Sequence, residues 1–391
     1  MKENQKKIRE YTIISMSISI LLYGFSITLG ALLTQINSFP KYLDIYLLIT
    51  PPLSLLLGNI LFGRLADNYG RKPILVFTPI LFSIGIVLFL IPNQYTTLLG
   101  VNLLLFSIAG GDEPAIISYS VENLSSNDRG KVMMLITNFV NIGALISSFI
   151  FIIFKYYLIM KITTSSFLFI SLLISYILRK DLPESTLWIK SESKKIKDQN
   201  LTKISSLLFI SISTILTYGL ISWVIGPYYY PNLTSYIVLF FNLGNIIGGI
   251  IGYLIIDNIK RNSFVFFGFA GGIITSSFLL LAMHLHVNYS IFLPLLITNG
   301  IFTQLTWGSR LILEGELFST KIRASSISLI RGSGWFIYII STILTVNFTI
   351  ILFQLYDILF WILGLLGSLI WYLYGIDTRK IPIEKLDKVL S

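Results

Sequence analysis

The chain has 391 residues, 54% hydrophobic and only 12% charged, about half the charged share of an ordinary soluble protein. Its formal net charge of +10 would suggest a nucleic-acid partner in a soluble chain, but here the basic residues fall between long apolar runs and no such partner is expected. It contains no Cys, which excludes disulfides and thiolate metal sites.

Apolar runs of about 20 residues read as membrane-spanning helices. Twelve are predicted, at 11–33, 43–64, 74–92, 97–122, 132–154, 162–178, 204–226, 233–256, 263–283, 289–314, 325–348 and 350–374. A charged segment precedes the first, which is too long for a signal-peptide core. Lys and Arg collect at 2–9, 64–72, 129–131, 179–203, 260–261, 321–323 and 379–388. The loops of the other side hold only Lys41, Lys155 and Lys161. This asymmetry puts both termini in the cytoplasm of a multi-pass plasma-membrane protein. The polar stretch 190–203 is read as a cytoplasmic linker between two six-helix bundles, 1–189 and 204–391.

In chain order, the first distinctive stretch is Gly58-Asn-Ile-Leu-Phe-Gly63-Arg64-Leu-Ala-Asp67-Asn-Tyr-Gly70-Arg71-Lys72. A tight polar turn between two spans must lie at a water interface, because lipid cannot satisfy irregular backbone. Gly58 and Gly63 permit close helix approach, and Gly70 can take a turn conformation that Cβ forbids. Asp67 is placed to cap a helix N-terminus or to meet a basic side chain such as Arg71.

Four of the ionisable groups well inside predicted spans are Asp112 and Glu113 in the fourth, Arg310 in the tenth and Arg331 in the eleventh. Each costs about 2.5–3.5 kcal/mol at mid-bilayer on insertion scales, so each faces a cavity or a partner. Asp112 and Glu113 lie about 100° apart on their helix, so at most one points squarely at a central cavity. A carboxylate in a partly dry site can hold a proton at working pH. Both are candidate proton-coupling groups. Arg310 has Glu314 at i,i+4 for a local bridge. Arg331 has no acidic sequence neighbour, and its forked donors suit a carboxylate or phosphate, which makes it the leading anion-binding candidate. Tyr23, Asn138, Asn141, Trp223, Asn242, Asn245, Asn299, Gln304 and Trp307 could complete a small-molecule pocket. His284 and His286 lack a carboxylate nearby and are read as exposed, not as metal ligands.

The halves repeat. Shifted by 190 positions, Gly58, Asp67 and Arg71 fall on Gly248, Asp257 and Arg261. Glu122 to Arg129 and Glu316 to Arg323 both read E-x6-R. Recurrence of two helix-end motifs in order indicates duplicated bundles, with substrate held between them. Gly63, Asp67, Gly70, Arg71, Glu122, Arg129, Asp257, Arg261, Glu316 and Arg323 are then expected to form a gating network on the cytoplasmic side.

The 58–72 stretch resembles the G-x3-D-x2-G-R-R/K loop of the major facilitator superfamily of transporters. Leu182-Pro183-Glu184-Ser185-Thr-Leu-Trp188 and Gly375-Ile-Asp377-Thr378-Arg379-Lys380 are similar to segments of its sugar and metabolite porters. The helix-four run Gly110-Gly111-Asp112-Glu113-Pro114 resembles that of its phosphate–proton symporters, and this match favours Asp112 over Glu113 as the proton-coupling group. The first span has no acidic residue and the seventh lacks the sugar-binding Q-Q-x-x-G-x-N pattern, which disfavours a hexose. The resemblance implies an all-α fold of two pseudo-symmetric six-helix bundles, without cofactor or metal and acting as a monomer. It implies a non-enzymatic secondary transporter of a small polar anion, organic acid or phosphate-like, coupled to protons. An uncoupled facilitator or a sugar or drug carrier of the same fold is the alternative. The sequence has no G-x4-G-K-S/T loop for direct ATP drive.

Overall fold

Within a bilayer every backbone N–H and C=O must be bonded inside its own segment, so isolated apolar runs of this length become helices. The computed structural model describes residues 2–36, 39–154, 156–191 and 201–390, and these are helical apart from their connections. The spans are α1 (Lys2–Leu33), α2 (Asp44–Tyr69), α3 (Arg71–Leu90), α4 (Gln94–Leu104, Leu105–Asp112 and Glu113–Asn123), α5 (Arg129–Ile153) and α6 (Tyr157–Arg179). They continue as α7 (Leu201–Tyr229), α8 (Thr234–Ile255), α9 (Arg261–His284), α10 (Tyr289–Leu317), α11 (Arg323–Leu344) and α12 (Ile350–Tyr374). Among the described residues eleven are long and apolar enough to cross a membrane, and α4 makes the twelfth.

Two spans contain π-helical stretches, Leu105–Asp112 in α4 and Leu220–Val224 in α7. An i→i+5 turn inserts one extra residue, so side chains beyond it are rotated from their α-helical positions. The first ends just before Glu113 and the second contains Trp223.

Several ends differ from the predicted ones. Arg64 to Tyr69 remain in α2, and α3 begins at Arg71, so the expected polar turn shrinks to Gly70 alone. Gly70 has φ +106°, and a Cβ there would stand 2.3 Å from Glu184 Oε2. α6 starts earlier than expected and takes in Lys161, which is buried rather than in an outer loop. Its Nζ donates to Ile91 O and Thr97 Oγ1, both at 2.6 Å. Lys155 and linker residues 192–200, including Lys194, Lys195 and Lys197, lie outside the described residues.

α1 to α6 pack as one bundle and α7 to α12 as the other, and the seam is made chiefly by α2 against α11 and α5 against α8. The repeat extends into the packing. A Cβ on Gly58 would lie 2.3 Å from Phe106 O and one on Gly110 2.7 Å from Leu55 O, so α2 and α4 cross backbone to backbone. Gly248 and Gly300, each displaced by the same 190 positions, hold α8 against α10 in the same way, through Ile301 O and Phe241 O. In lipid, where burial gives no hydrophobic gain, such close approach supplies the packing contacts that hold helices together.

Candidate functional site

Midway between the bundles lies a group of charges removed from solvent. Arg331 is eight residues into α11, about 12 Å along the helix at 1.5 Å per residue. It forms an ion pair with Glu113 of α4 across the seam. Arg310 and Glu314, one turn apart on α10, are 3.6 Å apart. The Arg310 guanidinium sits 4.3 Å from the Trp307 ring centroid, within cation–π range. Tyr23 of α1 lies among these charges. Glu113 is 1% exposed and Arg310, Arg331 and Gln304 are 0% exposed, so the centre is closed from both faces.

The second bundle lines this centre with rings. Trp307, Tyr218, Trp223, Trp335 and Tyr338 form one continuous series with centroid separations of 5.1, 5.0, 5.9 and 5.7 Å. Trp223 and Trp335 stack within 19°. Beside them a chain of amides crosses the seam. Asn141 Nδ2 donates to Gln304 Oε1 at 2.8 Å and to Asn138 Oδ1 at 2.9 Å, and Asn138 donates to Ile246 O. Tyr218 donates its hydroxyl to Asn242 and, at 3.3 Å, to Asn141 Oδ1.

Asp112 does not join the centre. Its Oδ2 is 2.6 Å from Arg179 Nη1 of α6 and its Oδ1 accepts from Thr78 Oγ1 of α3 at 2.9 Å, inside the first bundle. Glu113 is the carboxylate that faces the seam. Asn299 also stands apart: its amide donates to Thr275 Oγ1 of α9 at 3.2 Å. Tyr218, Trp335 and Tyr338 were missed from sequence. Trp335 and Tyr338 follow Arg331 at i+4 and i+7, a spacing that puts all three on one face of α11 and could have revealed them.

The face rich in Lys and Arg carries two related networks. Asp67 Oδ1 accepts from Arg71 Nη1 at 2.6 Å and from Ala324 N at 3.2 Å, and Oδ2 accepts from Ser325 N at 2.7 Å. A first-bundle carboxylate therefore caps the N-terminus of second-bundle α11, where free N–H groups and the helix dipole favour negative charge. Arg71 Nη2 and Arg323 Nη1 share Glu122 Oε1 at 3.0 and 2.6 Å. In the related copy Asp257 accepts from Arg261 at 2.9 Å and from Lys131 N, at the start of α5, at 3.0 Å. Arg129 Nη2 reaches Glu316 Oε1 at 2.7 Å. Gly63 brings α2 against α11, since a Cβ there would be 2.0 Å from Ser328 Oγ. Glu184 and Asp377 complete the symmetry by accepting from the first backbone N–H of α3 and of α9, at 3.1 and 3.2 Å.

Residues 11–341 match the family model described as Major Facilitator Superfamily. The chain belongs to that superfamily. Solved superfamily members agree with the fold over nearly the whole chain. The proton:xylose symporter XylE, from E. coli, superposes with TM-score 0.79 at 14% identity, covering 99% of this chain and all of that one. The human organic anion transporter MFSD10 gives TM-score 0.69 at 13% identity over 93% and 99%. At such identities the likeness is one of fold. A putative niacin/nicotinamide transporter, NiaP of Bacillus subtilis, is 28% identical over 141 residues. That match spans 35% of this chain and 34% of the relative, about a third of its length. As a major facilitator protein the chain is a multi-pass membrane protein of two six-helix bundles.

Proposed function

We propose that the protein is a proton-coupled secondary transporter of the plasma membrane, with both termini cytoplasmic, that carries a small organic anion with a planar, aromatic body. The observation that carries this reading is a surplus of unsatisfied donors at the centre. The indole N–H groups of Trp223, Trp307 and Trp335, the amide of Gln304, the Tyr23 hydroxyl, Arg310 Nη2 and Arg331 Nη1 are all buried without an acceptor. Leaving buried donors unpaired costs about 1–3 kcal/mol each, and an acceptor-rich anion would satisfy several at once. The ring series offers faces for a planar body. The name of the partial relative, a niacin/nicotinamide transporter, points to the same chemistry, an aromatic ring bearing a carboxyl or amide group.

Coupling follows from competition for one guanidinium. A substrate carboxylate entering the centre takes Arg331 from Glu113. The released Glu113 carboxylate, in a site shut from water, takes up a proton rather than remain charged and unpaired. Anion and proton then move together with no net charge. Release on the other side returns Glu113 to Arg331 and expels the proton. The paired networks hold the cytoplasmic side closed while the site is reached from outside.

The ligand reading is tested by thermal stability of the purified protein with benzoate, nicotinate, nicotinamide, phosphate and xylose. Nicotinate or benzoate should stabilise, by about 2.7 kcal/mol at a hundredfold excess over Kd, and nicotinamide less. Stabilisation by xylose or phosphate alone would overturn the aromatic-anion reading.

The gate has its own test. Asp67→Asn removes the charge that caps α11 and pairs with Arg71, so the resting population should shift towards the inward-facing form. With no native Cys, single introduced Cys residues can be labelled from each side. Faster labelling from the cytoplasmic side at normal expression is expected; labelling unchanged from wild type would leave Asp67 a purely structural cap.

A further inference from the structure

The second bundle contains a buried carboxylate that the central site does not use. Asp357, seven residues into α12, is 0% exposed. Its Oδ2 accepts from Ser276 Oγ of α9 at 2.7 Å, and Ser276 Oγ in turn accepts from Gln354 Nε2 at 2.7 Å. Asp357 Oδ1 and, one turn away, Gln354 Oε1 have no donor although both are buried. Trp361, one turn further on, turns its indole N–H towards the carboxylate without closing a well-formed hydrogen bond, and Gly272 makes room for its ring, since a Cβ there would lie 1.9 Å from it.

Among the described residues no counter-charge is within reach of this carboxylate. α12 packs against α9 and α7. α12 has no charged residue besides Asp357, and its tyrosine Tyr356 bonds Ser341. α9 carries only Arg261 and His284, at its two ends. His284 is eight residues from Ser276, about 12 Å along the axis, and exposed. α7 carries only Lys203, which donates to Leu317 O near the basic face. Among the described residues, each of the other fully buried acids of the spans pairs with an Arg: Glu113 with Arg331, Glu314 with Arg310, Asp112 with Arg179 and Glu316 with Arg129. A bare carboxylate in the bilayer is too costly to persist, so something positive must accompany it.

We propose that Asp357, Gln354 and Ser276 form a monovalent-cation site within the second bundle, off the central axis, occupied by a proton or a sodium ion. Both occupants supply what the protein lacks there, a single positive charge facing unpaired oxygens. A proton neutralises Asp357 and can be shared with one further oxygen. Sodium, a hard cation, accepts the carboxylate and the hydroxyl, and also the amide oxygen once the Gln354 amide turns over, since its Nε2 now faces Ser276 and Asp357. The site does not depend on the central substrate reading, since no residue is shared.

The test is the unfolding temperature of ligand-free purified protein, with sodium chloride replaced stepwise by N-methylglucamine chloride at constant ionic strength, at acidic and alkaline pH. A sodium site makes wild type more stable as sodium rises, most clearly at alkaline pH where protons do not compete. A proton site gives no sodium effect and a loss of stability as pH rises. Asp357→Asn, which keeps the shape and loses the charge, abolishes the sodium response in the first case and shrinks the pH-dependent loss in the second. Gln354→Leu and Ser276→Ala, which leave the acid in place, raise the half-saturating sodium concentration several-fold or shift the midpoint of the pH-dependent loss. Wild type with neither response, or Asp357→Asn and Gln354→Leu both responding as wild type does, overturns the site.

Discussion

Arg331→Ala is expected to abolish binding of the anionic substrate while the protein still inserts in the membrane. The side chain is fully buried and pairs across the seam with Glu113. Its removal takes away the charge that recognises the substrate and strands Glu113, a change that costs about 3–5 kcal/mol when one member of a buried pair is deleted. Arg331→Lys separates the two effects. It keeps a charge for Glu113 but loses the planar fork that meets a carboxylate with two parallel bonds. Affinity should fall about 10- to 100-fold, equivalent to about 1.4–2.8 kcal/mol, with near-normal stability. The Arg331→Ala/Glu113→Gln double variant should regain stability without regaining binding. Wild-type affinity in Arg331→Ala, read by ligand-induced thermal shift, would make the residue structural.

Glu113→Gln and Asp112→Asn should behave differently although they are adjacent in sequence. Glu113→Gln imitates the permanently protonated carboxyl at the centre. In vesicles it should lose uphill uptake driven by a pH gradient yet retain counterflow exchange, which needs only the rocking of a loaded carrier. Asp112→Asn instead weakens the 2.6 Å pair with Arg179 and leaves that guanidinium buried with no neutralising charge. Its main effect should be lower thermal stability, with coupling intact in whatever protein folds. The reverse pattern, uncoupling in Asp112→Asn and normal accumulation in Glu113→Gln, would place the proton path within the first bundle.

What the sequence determines by itself is the part governed by local or additive physics. Apolar runs must become helices because the bilayer leaves no other way to bond the backbone. Lys and Arg counts report orientation because they act one loop at a time. The repeat was legible at Gly58 and Gly248 and at the two E-x6-R segments because both halves use the same residues for the same helix crossings and ends. Arg331 stood out because a guanidinium inside a span is costly enough to need a reason.

The choice of partners was decided only by the tertiary structure. Ideal 3.6-residue geometry allows one of Asp112 and Glu113 to face the centre without saying which. The π-helical stretch that ends at Asp112 adds a residue to the turn, and Arg179, distant in sequence, draws Asp112 into the first bundle. Asp67 caps α11, 257 positions further along the chain, a relation that no local pattern carries. Asp357 was passed over because it is one acid in an otherwise apolar span. Its significance lies in what α7 and α9 fail to bring near it. A salt bridge, a cap or an unpaired charge is a property of two helices at once, and their relative placement depends on close glycine contacts such as Gly58 on Phe106 and Gly248 on Ile301, which only the assembled bundle displays.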